Sequence, residues 1–326
     1  MNATATAITP PPVLAAYGYC ETVTGQQARN FAYGIRLLPP EKRQAMSALY
    51  AFSRRIDDIG DGPLEPAAKE ARLAGARALL ARVRSGAVED DDTDPVAVAL
   101  ADAARRFPIP LGGLDEVIDG VLMDVRGQTY ATWDDLEVYC RCVAGAIGRL
   151  SLGIFGVADV PGRSAREAAR AADYADTLGL ALQLTNILRD LREDAEEGRV
   201  YLPADDLAAF GCAGGFSAPE PPPDADFTGL VRFEVRRAQA LFGEGFRLLP
   251  LLDRRSGACV AAMAGIYRRL LDRIARDPGQ VLRGRVSLPG REKAFVAVRG
   301  LSGLDARHIT RRPARYPARH PVRRNL

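Results

Sequence analysis

The chain has 326 residues, 47% of them hydrophobic and 26% charged, with 44 Lys and Arg against 41 Asp and Glu for a formal net charge of +3. This is globular composition, which excludes a mainly disordered or fibrous chain, and so small a positive excess makes no general case for nucleic-acid binding. The only two histidines, His308 and His320, lie near the C-terminus, so a Ser-His-Asp triad, a Cys-His pair or a His-rich zinc site in the body is excluded.

In chain order, residues 1–13 are rich in Ala, Thr and Pro and predict a loose leader without the basic start and apolar core of a signal peptide. Residues 14–302 predict a single all-α domain. MSALYAFSRRIDDI, EVIDGVLMDV, YCRCVAGAIGRLSLGIF, REAARAADYADTLGLALQLTNILRDLREDAEE, FEVRRAQALFGEGFRLLPLL and CVAAMAGIYRRLLDRIA are long enough for helices and rich in good helix formers. No alternating strand pattern, GxGxxG or Walker A loop is visible. An acidic stretch at 87–95 and a Gly/Pro-rich stretch at 211–227 read as surface insertions.

Residues 303–326 form a basic tail with seven arginines between Arg307 and Arg324 and no acid among them. It reads as a solubilising end or as an attraction for anionic lipid head groups. No apolar run reaches the roughly 18 residues a bilayer span needs. Five cysteines without a Cys-x-x-Cys pair suit reduced thiols. These features predict a cytoplasmic protein, with contact to the inner face of the membrane as the alternative.

Two helical segments carry acids in rows. On a helix at about 100° per residue, Tyr50, Arg54, Asp57 and Asp61 share a sector about 60° wide, opposite Leu49, Phe52, Ile56 and Ile59, with Asp58 slightly to one side. A solvated face would show the same pattern, but carboxylates at i, i+4 repel, and a cation between them offsets that. Gln183, Asn186, Asp190 and Asp194 form a second row, bordered by Leu184, Ile187, Leu188 and Leu191. Buried polar groups need partners, supplied by a polar core network, a cation or a substrate rich in acceptors. Carboxylates without histidine suit a hard ion such as Mg²⁺, with Mn²⁺ as a substitute, bridging to phosphate oxygens. Arg54 and Arg189 could add charge-assisted hydrogen bonds. Diphosphate held between the rows and hydrocarbon in the rest of a helical cavity together suggest ionisation of an allylic diphosphate.

On YAFSRRIDDIGD, YCRCVAGAIG and QLTNILRDLREDAEEGRVYLP, the chain resembles the squalene/phytoene synthases from about Tyr19 to Leu288. The resemblance implies an isoprenoid-synthase helical bundle around a central cavity. It implies Asp57, Asp58 and Asp61 as a first aspartate motif, Asp190 and Asp194 as a second, and Gln183 and Asn186 as the polar pair above it. Metal would fall to Asp57, Asp58, Asp61, Asn186, Asp190 and Asp194. Tyr50 and Arg54 match residues preceding the first motif; Tyr139, Val143, Ala144 and Gly145 match a kinked cavity-lining helix. NFAYGIRLLP, with Asn30 and Phe31, matches the segment at the mouth near the diphosphates, although many relatives have serine where Asn30 stands. Tyr267 and Arg285 match late residues that approach substrate.

Within the family the texture of QQARNFAYGIRLLPPEKRQAMSALYAFSRRIDDIGDG is most like presqualene diphosphate synthases of hopanoid pathways. The resemblance therefore implies two farnesyl diphosphates condensing to presqualene diphosphate without NADPH. Phytoene synthase on geranylgeranyl diphosphate, and squalene synthase with NADPH, are the alternatives, beside a silent helical protein that binds lipid or a downstream pathway enzyme. Cys140 and Cys142 read as ordinary thiols, Trp133 as a packing residue, and Asp124 as either a support for the site or a helix-surface acid.

Overall fold

Several helices begin on proline, where the missing N–H is one that would lack a helical partner anyway. A computed structural model describes residues 10–28, 30–159, 165–213 and 224–302. Among them Pro11, Pro40, Pro66 and Pro95 stand in the first turns of α1 (Pro11–Gln27), α3 (Pro40–Asp61), α4 (Pro66–Ser85) and α5 (Pro95–Arg106), with α2 (Phe31–Ile35) between the first two. The chain continues through α6 (Gly112–Val125), α7 (Trp133–Cys140), a π-helical turn (Arg141–Gly145), α8 (Ala146–Phe155), α9 (Ala165–Ala169) and α10 (Ala171–Glu196). It ends with α11 (Ala204–Ala209), α12 (Phe227–Gly245), a 3₁₀ turn (Phe246–Leu251), α13 (Arg254–Arg276), α14 (Gln280–Arg283) and α15 (Gly290–Ser302). No strand occurs among the described residues, and the fold is all-α as expected.

α3 packs on α1, α5 and α6 through Leu49, Phe52 and Ile56, all fully buried. α10 packs on α12, α8 and the π turn through the leucines and isoleucine that border its polar row. α6 lies between the two groups, touching α3 on one side and the π turn and α8 on the other. Glycines permit the closest approaches. A Cβ on Gly179 would fall on the Ala144 carbonyl and one on Gly148 on the Ala175 carbonyl, so α10 meets the π turn and α8 backbone to backbone.

Trp133–Phe155 is, among the described residues, the one helix long and apolar enough by length and composition to cross a bilayer. Arg141 and Arg149 break its apolar run, so no uninterrupted stretch of about 18 apolar residues occurs in it. In the fold both arginines turn onto the buried Asp176 of α10.

Two insertions also differ from expectation. The leader is shorter than 1–13, since Pro11–Val13 belong to α1 and Val13 is fully buried. The acidic loop at 87–95 is tied down: Asp94 caps α5 through the Val96 and Ala97 amides and accepts both ends of the Arg55 guanidinium at 2.6 and 2.8 Å. Asp92 and Asp90 pair with Arg82 and Arg105. The basic tail, and residues 214–223 of the Gly/Pro stretch, lie outside the described residues.

Candidate active site

Because the apolar side of α3 faces the core, its opposite side presents the first acidic row. Asp57 is half-buried, and burial pushes its carboxyl up to about 7; Arg54 pulls it back, while Asp61, Asp58 and Asp124 act with burial. Asp58 is exposed and pairs with Arg54 at 2.5 Å, at the edge of the row. Burial also raises the Tyr50 hydroxyl.

The second row runs down α10. Asn186 Nδ2 donates to Gln183 Oε1 at 3.3 Å, while the buried Asn186 Oδ1 has no hydrogen-bond partner among the described residues. Asp190 accepts from Arg189 Nε at 2.7 Å and pairs with Arg285 Nε at 3.2 Å; Arg285 also reaches Glu193 at 3.5 Å. Burial pushes Asp194 up to about 7, helped by Asp190 and Asp124 and opposed by Arg199.

The rows share a centre at Asp124, the residue that the sequence left open between a support for the site and a helix-surface acid. Asp124, at the end of α6, accepts hydrogen bonds from Tyr139 at 3.0 Å and from Tyr201 at 2.9 Å. Its charge raises both Asp57 on α3 and Asp194 on α10. Arg199 reaches Asp61 at 3.6 Å and its charge lowers Asp194, so one cation acts on both rows. The reading of Asp124 as a helix-surface acid is therefore wrong. Tyr139 and Tyr201 stack with ring centroids 5.2 Å apart, backed by Tyr130. The signal for Arg199 and Tyr201 lay just past Gly198, whose φ of 76° ends α10 and turns the chain back over its last turn.

Of the other expected residues, Tyr267 is tied to both rows. Tyr267 is buried on α13, 6.0 Å from the Phe31 ring, and interacts with both Tyr50 and Arg189. Asn30 precedes α2 half-buried, and its Oδ1 has no hydrogen-bond partner among the described residues. Val143 and Ala144 are half-buried on the π turn, the kink expected there. Gly145 is instead wedged against Asp176 and Leu180.

Arg54 and Arg189, expected to be available to phosphate, are engaged by Asp58 and Asp190. Trp133 packs under the Arg237 guanidinium, 4.6 Å from its ring centroid. Cys140 is buried and Cys142 half-buried, both as free thiols.

Among the described residues no three acidic, Cys or His groups converge closely enough to hold a metal by themselves. The donors nevertheless fit a divalent cation. Asp57 and Asp194 have no ion-pair partner among the described residues, their carboxyls are raised by burial and like charge, and Asn186 offers an unused carbonyl oxygen. All are hard oxygen ligands of the kind Mg²⁺ takes alongside substrate phosphate. Two surface hollows lie elsewhere. One of about 510 Å³ runs along Ala74, Arg77, Ile118 and Leu122, and one of about 250 Å³ lies by Thr24, Ile35 and Ser47; neither touches the acidic rows.

Comparison with known proteins shows the family and the fold. The squalene/phytoene synthase family profile matches residues 24–292. A phytoene synthase of Mycobacterium tuberculosis is 47% identical over 88% of this chain and 91% of its own length. One from Arthrospira platensis is 36% identical over 84% and 88%. A dehydrosqualene synthase crystal structure superposes with a TM-score of 0.76 at 27% identity, covering 90% of this chain and 98% of that one. A squalene synthase from Alicyclobacillus acidocaldarius gives 0.72 at 30% identity, covering 83% and 97%.

Proposed function

The chain belongs to the squalene/phytoene synthase family and is a prenyltransferase, and from that premise we propose that it condenses two geranylgeranyl diphosphates head to head to phytoene. The observation that carries this choice of substrate is the 47% identity with a phytoene synthase across nearly the whole of both chains. The identity favours the geranylgeranyl alternative over presqualene diphosphate, the product the sequence texture alone suggests.

The chemistry follows from the two rows. Asp57, Asp61, Asn186, Asp190 and Asp194 would hold Mg²⁺, which neutralises the charge of a departing diphosphate. Arg199, already between the rows, and Arg285, beside Asp190, add cationic donors to diphosphate oxygens. Tyr267, Phe31, Val143 and Ala144 shield the allylic cation from water. The donor's C1 cation is attacked by the 2,3-double bond of the acceptor, and loss of a proton closes a cyclopropane. Departure of the second diphosphate, rearrangement and loss of another proton give the hydrocarbon, with no reductant consumed. The Tyr50, Tyr139 and Tyr201 hydroxyls all stay protonated, because burial raises each of them. They therefore serve as hydrogen-bond donors, and the released diphosphate is the stronger proton acceptor.

A second reading is condensation of farnesyl diphosphates to the C30 cyclopropyl diphosphate, favoured by the superposition on a dehydrosqualene synthase and a squalene synthase. The test is to incubate purified protein and Mg²⁺ with each diphosphate, with and without NADPH, and to identify the lipid by mass spectrometry. Phytoene from geranylgeranyl diphosphate is the expected result. A preference for farnesyl diphosphate selects the second reading, and no diphosphate release from either refutes catalysis.

A further inference from the structure

The polar row of α10 does not begin at Gln183. Earlier on the same side stand Asp176 and Gly179, so the row reads Asp176, Gly179, Gln183, Asn186 at spacings of three, four and three. Asp176 is 3% exposed and holds two arginines of the neighbouring helix. Arg141 Nη1 donates to its Oδ2 at 2.5 Å, and Arg149 pairs with its Oδ1. Arg141 opens the π turn and Arg149 stands in the first turn of α8 beyond it, so one buried carboxylate grips the turn from both ends. The Arg141 carbonyl also accepts from the Ala146 amide, the i to i+5 hydrogen bond that makes the turn π-helical.

A π turn carries one residue more than an α-helix holds, and the helix backbone alone does not say where along its length that residue goes. Slid by one residue, the bulge would rotate the side chains it passes by about 100°. The side chains at stake are those that face the site. A Cβ on Gly120 of α6, one turn before Asp124, would fall on Val143, and one on Gly179 of α10 would fall on the Ala144 carbonyl. Gly145 rests on the Asp176 carboxylate itself. Tyr139, which donates to Asp124, sits four residues ahead of Val143. We infer that Asp176 is a positioning residue that pins the π turn and thereby sets Val143 and Ala144 at the hydrocarbon wall of the site. Its consequence for the reaction rests on the prenyl-transfer chemistry proposed above. With the wall displaced, water reaches the allylic cation: its oxygen bonds to C1, one of its protons passes to the released diphosphate, and a prenyl alcohol forms in place of the coupled product.

Asp176→Asn removes the grip without stranding a charge, since Arg141 keeps Glu137 at 2.7 Å and Arg149 keeps Glu116. The turn carries its own reporter: Cys142 lies within it and is half-buried, whereas the other four cysteines are buried. Iodoacetamide is applied to the full-length, substrate-free protein, and each alkylated thiol is located by mass spectrometry. In Asp176→Asn, Cys142 should react at least about fivefold faster than in wild type, with Cys212 still protected. The protein is then incubated with Mg²⁺ and whichever of geranylgeranyl and farnesyl diphosphate the wild type consumes. The variant should raise the share of prenyl alcohol in the product at least about fivefold, while diphosphate release falls less. Arg141→Gln, which leaves Asp176 paired with Arg149, should shift both readouts the same way by a smaller factor. Asp253→Asn controls for stability alone: it loses the Lys42 ion pair at 2.7 Å and should lower Tm while both readouts stay as in wild type. Circular dichroism verifies the fold of each variant. Wild-type alkylation of Cys142 in folded Asp176→Asn overturns the pinning, and faster alkylation with an unchanged alcohol share overturns the positioning role. A wild type that consumes neither diphosphate refutes the catalytic reading instead, and the alkylation rate still decides the pinning.

Discussion

Replacing Asp124 with Asn tests whether the two acidic rows work as one site. Asp124 accepts from Tyr139 at 3.0 Å and Tyr201 at 2.9 Å, and its charge acts on Asp57, Asp61, Asp194 and Arg199. Hydrogen bonds to a charged acceptor are worth about 1.5–3 kcal/mol each. Asn keeps one acceptor oxygen and presents an amide N–H₂ to the other tyrosine, so about one such bond is lost. The retained bond also becomes neutral. A loss of about 2 kcal/mol from the organised site corresponds to about thirtyfold in turnover. Asp124→Ala removes both bonds and should cost about 4 kcal/mol, or about a thousandfold.

Diphosphate release at saturating substrate and Mg²⁺ measures the effect, with Tm recorded in parallel. Because Asn is isosteric and the tyrosine stack remains, the fold is kept and Tm should fall by about 4–8 °C at most, while kcat falls and KM changes less. Turnover by Asp124→Asn within about twofold of wild type would refute the argument that this carboxylate joins the rows.

The acidic rows themselves are more sensitive: Asp57→Ala or Asp190→Ala should lower diphosphate release by at least about a hundredfold with the fold intact, and a chelator should do the same to wild type. Glu234 is fully buried beside Asp206 and Arg237, and burial pushes its carboxyl up to about 8, with the Arg237 charge opposing and Asp206 assisting. A raised carboxyl means the folded state holds a proton that the unfolded chain releases from about pH 4.5, so stability contributed there is present at acid pH and is lost as pH rises through about 8. Glu234→Gln mimics the protonated form and should flatten the decline in Tm between pH 5 and pH 8; an unchanged slope would show that the group does not titrate in that window. Gly148→Ala drives a Cβ into the Ala175 carbonyl, where backbone cannot yield, and should cost about 1–3 kcal/mol and lower Tm by at least about 2 °C.

What was legible in the sequence followed from periodicity. The α3 row could be read because Leu49, Phe52 and Ile56 repeat at helical spacing and force Tyr50, Arg54 and Asp57 to the other side. The α10 row was legible for the same reason, and its helix end was marked by Gly198. Periodicity reports on one helix at a time. It says which residues share a face, but not which face of a second helix stands opposite. The engagement of Arg54 by Asp58 and of Arg189 by Asp190 escaped it too, because those pairs depend on rotamers set by the surrounding packing.

Asp124, Arg199 and Tyr201 show the same gap in a sharper form. Asp124 closes an apolar helix, EVIDGVLMDV, and by its own helix alone it is a terminal acid that solvent would satisfy. Its role depends on a tyrosine 15 residues away and another 77 residues away, brought to it by two different turns of chain. Arg199 and Tyr201 lie where helical periodicity has ended, so no face could be assigned to them. Yet the strap they occupy is fixed from outside the site. The amides of Ala204 and Asp205 donate to the carbonyls of Tyr130 and Ala131, and Asp206 is locked by Arg237 at 2.6 Å. A short irregular segment held at its far end by buried charge can place a cation between two acidic helices more rigidly than a free loop could. The central element of the site is therefore a product of tertiary anchoring, and the sequence shows it only as a glycine followed by GRVYLP's unremarked arginine and tyrosine.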